Sequence, residues 1–144
     1  MIQFSNSILG WTLTNIVCAV ADESLTKVNN GGNACDKDAA TTCFVEGDKL
    51  IIDLGGERTI TSFHYLPDQS EYSKGLISSY EIAVGMEEGA INQVVKQGEF
   101  SNIKHNPILQ SVYFTPVNAR YISLKPTKMV NEGEQMGFAE IAIR

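Results

Sequence analysis

The sequence has little positive charge and no long apolar run, and each of these shortages excludes some classes of function. Its 144 residues carry 11 Lys and Arg against 17 Asp and Glu, for a net charge of −6 at pH 7. Because phosphate groups are bound by basic patches, we expect no nucleic acid partner and no electrostatic docking on an anionic membrane. No apolar run reaches the ~18 residues that a membrane-spanning helix needs. Capped helical periodicity is also missing, which disfavours parallel α/β folds and their phosphate-binding loops.

Cysteine is scarce as well, with only Cys18, Cys35 and Cys43 in the chain. An odd count allows one disulfide with one free thiol, or three buried thiols. A Cys35–Cys43 bridge would close a short loop, but spacing does not fix its geometry, and we favour unpaired, half-buried thiols. A catalytic thiol is less favoured still, since only His64 and His105 could act as its base and neither lies in a family signature.

The dominant pattern in the sequence is a series of short alternating runs broken by Gly, Pro, Asn and Asp. Clear runs occupy residues 49–55, 59–67, 77–85, 92–100, 110–116, 119–126 and 138–144, and residues 8–20 supply one or two more. About eight strands with frequent turn signals predict an all-β sandwich or barrel in a single domain. Residues 21–48 are polar and resist strand assignment, and a connection of that length in a compact domain is usually functional.

Several segments occur in an order that is typical of one family. ACDKDAATTCF (34–44) is followed by LIIDLGGERTITSFHYLP (50–67), KGLISSYEIAVG (74–85) and, near the C-terminus, FAEIAI (138–143). This succession resembles the discoidin or coagulation-factor C-type domain, and most of all family-32 carbohydrate-binding modules, over about Trp11 to Ile143. The resemblance implies a galactose-binding-domain-like jelly-roll β-sandwich of antiparallel strands. It also implies that residues 1–144 are one module of a longer extracytoplasmic protein, whether secreted, periplasmic or at the cell surface.

The resemblance further implies a structural calcium ion bound by the first of these segments. The family pattern there is roughly Ala-x-Asp-Gly-Asp-x-x-Thr-x-Trp, assisted by a Glu near the C-terminus. The residues that match it are Ala34, Asp36, Asp38, Thr41 and Glu140. Calcium takes about six to eight oxygen ligands, which such a loop can supply, although Lys37 replaces the family's glycine. The same Asp and Thr side chains could instead be turn residues that bond their own backbone.

The polar residues that bind galactose in the family are replaced in this sequence. Phe44 stands where the family often has His, and Asp68 and Ser73 stand at its Arg and Asn positions. We therefore do not expect a galactose-type site of the usual kind. A sugar site needs an aromatic face beside planar polar groups. The residues predicted to bind the ligand are Phe44, Asp68, Tyr72 and Phe138. The alternatives are packing at the sandwich rim for the aromatic residues and a plain turn carboxylate for Asp68.

Three functions from different classes remain open. The favoured one is a non-catalytic carbohydrate-binding module that targets an attached glycoside hydrolase to glycans through the loops at one end of the sandwich. Its partners would be a glycan and a covalently linked catalytic domain. The alternative is a protein-interaction or structural module of the same fold whose sugar site has degenerated. An enzyme is the least favoured, because no nucleophile motif or acid–base pair stands out in the sequence.

Overall fold

The computed structural model of the protein describes residues 12–13, 16–19, 25–28, 42–45, 47–69, 73–101 and 103–144, with only the backbone in the first three ranges. The strands are β1 (Thr12–Leu13), β2 (Ile16–Ala19), β3 (Leu25–Val28), β4 (Thr42–Val45), β5 (Leu50–Leu66), β6 (Ile77–Gly85), β7 (Gln93–Glu99), β8 (Gln110–Met129), β9 (Gly137–Phe138) and β10 (Glu140–Ile143). These ranges contain no helix, and so none that is long and apolar enough to span a membrane.

The strands form two antiparallel sheets. The larger sheet has the order β1-β5-β8-β6-β7, and β10 also pairs with β5; the smaller sheet has the order β3-β2-β4-β9. Burial alternates along the first part of β5, where Leu50, Ile52 and Leu54 are fully buried and the residues between them are half-buried. A period of two is expected of a strand with one face on the core. The predicted all-β sandwich is therefore confirmed.

The two longest strands are each predicted from sequence as two separate strands. The runs 49–55 and 59–67 belong to β5, and the runs 110–116 and 119–126 belong to β8. The β5–β8 ladder shifts register between Asp53 and Arg58 and again between Ile60 and Ser62. A bulge bends a strand without ending it, and it tolerates the glycine and proline that also mark turns. The predicted breaks at Gly55 and Pro116 are therefore irregularities within continuous strands.

The prediction that residues 21–48 resist strand assignment is wrong for Leu25–Val28 and Thr42–Val45. The second of these strands, β4, lies between β2 and β9 in the smaller sheet. Thr42, Cys43 and Val45 are buried there. A strand of four residues between polar segments is too short to give a periodic signal in the sequence. Its burial depends on its neighbours in the sheet, which the local sequence does not indicate.

The C-terminal segment joins the two sheets. β9 pairs with β4 of the smaller sheet, and β10 pairs with β5 of the larger one. The chain crosses at Ala139, whose N–H donates to the carbonyl oxygen of Leu66 at 2.8 Å. Phe138 and Ala139 have no exposed surface, and Glu140 is 2% exposed. The predicted strand 138–144 is therefore two short strands on either side of a buried crossing.

Cys43 is fully buried and disulfide-bonded, so the expectation of unpaired thiols is wrong for this residue. The backbone register places Cys18 of β2 directly opposite Cys43 of β4. Cys35 lies outside the described residues. Since stable disulfides form mainly in oxidising compartments, this bond bears on where the protein is located.

Candidate ligand-binding site

Asp68, one of the four predicted ligand-binding residues, is 3% exposed. Its Oδ1 accepts a hydrogen bond from the Thr42 hydroxyl at 2.6 Å, and its Oδ2 accepts one from the Lys74 N–H at 2.9 Å. The Ser73 hydroxyl donates to its backbone carbonyl oxygen at 2.9 Å. These bonds connect Asp68 to Ser73 and Lys74 at the start of the next described segment, and they tie Asp68 to β4. The environment of Asp68 is therefore that of a turn carboxylate, the alternative given above, rather than that of a group that contacts a sugar.

The predicted aromatic residues occupy different environments. Phe138 is fully buried between the sheets, so its ring has no face on which a sugar could stack. Phe44 is half-buried, and its ring lies against Gly137: an added Cβ there would be 3.0 Å from the Phe44 Cε1. Tyr72 lies outside the described residues. Phe44 is thus the one predicted aromatic residue that the structure describes with exposed surface, and its ligand role stays a prediction.

Most of the predicted calcium ligands also lie outside the described residues: Ala34, Asp36, Asp38 and Thr41. Glu140 is described, at the start of β10 and opposite Leu66 of β5, with 2% of its surface exposed. Within the described ranges there is no group of three or more His, Cys, Asp or Glu side chains that could hold a metal ion. Calcium therefore stays a prediction.

A cleft of about 420 Å³ opens where three loops meet. The β5–β6 loop (67–76) contributes Ser73 and Leu76, and the β8–β9 loop (130–136) contributes Val130 and Asn131. The β7–β8 loop (100–109) contributes Lys104, His105 and Pro107. A second hollow, of about 300 Å³, shares Lys104 and Val130 with the first and so adjoins it. We refer to the two together as the loop cleft. Its size lies in the range of small-molecule sites, about 300–1,000 Å³.

Hydrogen bonds within and between the loops, and between β5 and β9, connect the segments around the loop cleft. The Gln69 amide donates to the carbonyl oxygens of Pro67 and Pro107, both at 2.8 Å. The Val130 N–H donates to the Leu76 carbonyl oxygen at 3.0 Å. The Tyr65 hydroxyl donates to the Gly137 carbonyl oxygen at 2.8 Å, and burial raises the pKa of this phenol. A site that is already formed in this way avoids much of the entropy cost of ordering loops around a ligand.

The loop cleft combines an apolar base with polar groups at its edge. Leu76, Val130 and Phe100 contribute apolar surface. The Phe100 ring also stacks on the Tyr80 ring, with 4.4 Å between the ring centroids. Lys104 and His105 are exposed at the edge, where an ammonium group and an imidazole could bond hydroxyl or anionic groups. An apolar surface with a few convergent polar groups is the usual composition of a site for a small polar ligand.

Sequence reasoning did not identify these residues as a site. His105 is considered there only as a possible base for a catalytic thiol, and nothing marks Lys104, Val130 or Asn131 as functional. The lining comes from three loops and from the adjoining ends of β6 and β8, which are far apart in the chain, and a pattern of spacing detects only residues of one element. The polar KHNP segment (104–107) indicates a turn, which is correct, but not what the turn faces.

The remaining polar clusters are part of the sheet. His64 contacts the Ser111 hydroxyl through Nδ1 at 2.8 Å and the Ser62 hydroxyl through Nε2 at 3.0 Å. Partial burial lowers the pKa of His64. Arg120 pairs with Asp53, with 3.1 Å between Nε and Oδ1, and this bond lowers the pKa of Asp53. Both clusters lie outside the lining of the loop cleft.

Comparison with known proteins identifies the family of the chain. The model of the F5/8 type C domain matches residues 21–142. The chain therefore belongs to the F5/8 type C domain family, as the order of its segments predicts, and its structural neighbours are family-32 carbohydrate-binding modules. No match is found among curated proteins.

Three solved structures illustrate the similarity. A glycoside hydrolase 29 family member from an unknown rumen bacterium is 31% identical, with a TM-score of 0.62 over 67% of this chain. The chain spans only 17% of the length of that hydrolase. The family 32 module of Clostridium perfringens NanJ, solved with galactose, is 20% identical, with a TM-score of 0.68 over 97% of both chains. The C. perfringens module CpGH89CBM32-5, solved with GalNAc-β-1,3-galactose, is 19% identical, with a TM-score of 0.69 over 93% of this chain and 94% of that one.

Proposed function

We propose that this chain is a non-catalytic carbohydrate-binding module and that the loop cleft is its glycan site. The observation that carries the proposal is the loop cleft itself, which joins an apolar base to Ser73, Lys104, His105 and Asn131. Sugars present a C–H face and several hydroxyl groups, and these two surfaces match the two parts of the cleft. Membership of the F5/8 type C family supports the proposal, as do neighbours that were solved with bound sugars.

The module would target an attached glycoside hydrolase to glycans. Support comes from the hydrolase of the rumen bacterium, where a similar segment makes up 17% of a longer chain. A glycan-targeting module of this kind would work outside the cytoplasm. The disulfide bond of Cys43 supports that location, because such bonds persist in oxidising compartments.

A glycan array tests the proposed function, and single substitutions at the loop cleft locate the site. We expect the folded chain to bind at least one class of glycan. Asn131→Ala or His105→Ala should weaken binding by about 5–10-fold, because a lost hydrogen bond contributes about 1–1.5 kcal/mol. Both residues are exposed, so neither change should affect folding. Isothermal titration with the best ligand measures the affinities.

Asn92→Ala is the matched control, since Asn92 is exposed and does not line the loop cleft. It should leave the affinity unchanged. A well-folded chain that binds no glycan would contradict the proposal and would favour the protein-interaction module. Glycan binding that neither cleft substitution weakens would place the site elsewhere on the molecule.

We also propose that the segment 34–41 binds a structural calcium ion together with Glu140. Glu140 matches the C-terminal Glu of the family pattern, and it lies at the start of β10, opposite Leu66, with only 2% of its surface exposed. Calcium accepts carboxylate, hydroxyl and backbone oxygens, which fits Glu140 and the side chains of Asp36, Asp38 and Thr41. The ion would fix this segment against the sandwich.

Chelation should therefore destabilise the fold. Saturating Ca²⁺, at about 100 times its Kd, should stabilise the folded state by about 2.7 kcal/mol over the chelated protein. For a domain of this size, this raises Tm by about 5–10 °C. Thermal unfolding in EDTA and after addition of Ca²⁺ measures the difference. Glu140→Gln should reduce the response, whereas Glu132→Gln, at an exposed position, should preserve it. An identical Tm with and without Ca²⁺ would contradict the calcium site.

A further inference from the structure

Two lysine side chains lie along the loop cleft in a chain that is acidic as a whole. Lys104 lines both parts of the cleft, and Lys128 lines the smaller part. Both are exposed, and neither forms a salt bridge within the described part of the chain. The two lysines therefore make the cleft locally positive in a chain whose net charge is −6.

Carboxylate groups do not offset these lysines in the cleft lining. Of the residues that the structure describes along either part of the cleft, none is Asp or Glu. In the β8–β9 loop, the Oε1 of Glu134 accepts a hydrogen bond from the Gly75 N–H. Its carboxylate is thus used in bracing the loops. The described lining of the cleft therefore carries two lysine ammonium groups and no carboxylate.

We propose that the loop cleft is selective for sugars that carry an anionic group, either the carboxylate of a uronic acid or a sulfate ester. The proposal rests on the proposed function and names the class of ligand for that site. Lys104 would bond the anionic group, because it borders both parts of the cleft. Lys128 would add a second positive charge in the smaller part. Ser73 and Asn131 would bond the neutral hydroxyl groups, and the half-buried Val130 would contact the C–H face.

The expected selectivity is moderate because the cleft is open to water. An exposed ion pair contributes up to about 1 kcal/mol, so two lysines give an anionic sugar an advantage of about 10-fold over its neutral counterpart. Salt screens such pairs, with a Debye length of about 8 Å at physiological ionic strength and about 3 Å at 1 M. The advantage of the anionic sugar should therefore shrink as salt is added, while binding of the neutral sugar changes little.

The test compares charged oligosaccharides with neutral counterparts of the same linkage. Oligogalacturonides are titrated against their carboxyl-reduced forms, and sulfated chondroitin oligosaccharides against chemically desulfated ones. The pair that shows a difference identifies carboxylate or sulfate as the anionic group. We expect about 10-fold tighter binding of the charged member of one pair, and this preference should fall at high salt.

Lysine substitutions assign the preference to the loop cleft. Lys104→Gln should remove most of the preference for the charged sugar, and Lys128→Gln part of it, so that each weakens binding of the charged sugar more than binding of its neutral counterpart. Lys96→Gln removes the same charge from an exposed position on β7 and should keep the full preference. Equal affinity within both pairs, or a preference that survives Lys104→Gln, overturns the inference. Binding of neutral glycans at the cleft would then leave the proposed function standing, whereas no binding of any glycan would overturn both.

Discussion

Replacing Phe138 by Ala should lower the free energy of unfolding by about 3–5 kcal/mol, the usual effect of truncating a buried aromatic ring. Phe138 has no exposed surface and lies in the core cluster between the two sheets. Its backbone pairs with Cys43 of β4, one residue before the crossing to the larger sheet. The lost ring would leave a cavity that neither short strand can collapse to fill. Denaturation in urea measures the loss.

Tyr113→Ala is the matched control, because Tyr113 is 66% exposed and its ring makes an edge contact with His64. It should change the free energy of unfolding by less than about 1 kcal/mol. Comparing the two variants also distinguishes the two roles considered for Phe138, which are packing in the core and stacking on a sugar. A residue that stacks on a sugar at the rim would lose ligand affinity on truncation and keep the stability of the fold. Unchanged stability of Phe138→Ala would therefore contradict the packing described above.

Gly75→Ala should destabilise the protein by about 3 kcal/mol or more and should abolish ligand binding at the loop cleft. Gly75 has φ of +70°, a conformation that other residues rarely adopt. An added Cβ would also lie 2.2 Å from the Gly137 N and 2.7 Å from the Gln135 carbonyl oxygen. These are backbone atoms, so the β5–β6 and β8–β9 loops would have to separate. The hydrogen bond from the Gly137 N–H to the Gly75 carbonyl oxygen would then be strained or lost.

Two other glycines distinguish the cost of a positive φ from the cost of the steric clash that an added Cβ would make at Gly75. Gly133 has φ of +82° but nothing within 4 Å of an added Cβ, so Gly133→Ala should cost only the conformational strain, about 1 kcal/mol. Gly89 has neither feature, so Gly89→Ala should be close to neutral. Equal midpoints in urea for all three variants would show that the loops are not in contact at Gly75.

Sequence reasoning predicts best the strands that correspond to one uninterrupted run between turn signals. The run 77–85 matches β6 residue for residue, and 92–100 differs from β7 by one residue at each end. It fails where an element depends on distant partners. In the sequences of β5 and β8, a Gly or Pro could mark either a register shift within one strand or a turn between two strands. Only the pairing of the strands in the sheet distinguishes these two cases. The order of several segments together is what identifies the family.

The site is predicted less well, and the reason is the same. Asp68 is a polar turn residue in sequence, and nothing there indicates that Thr42, 26 positions earlier, binds its carboxylate. Phe138 is the first residue of the run 138–144, but residues 136–143 are all buried because the chain crosses between sheets at this point. A period of two therefore cannot predict which way Phe138 faces. The loop cleft is a product of three loops and has no counterpart in any one segment.

The central claim is that this member of the F5/8 type C family binds glycans in the loop cleft. Chemical-shift mapping by NMR, with a glycan that binds on the array, tests the location residue by residue. We predict that the largest changes fall on the amides of Leu76, Lys104, His105, Val130 and Asn131. The turn between β6 and β7, at residues 86–92, should show none. Changes concentrated at that turn, or on the outer face of the larger sheet around Tyr113, would contradict the claim.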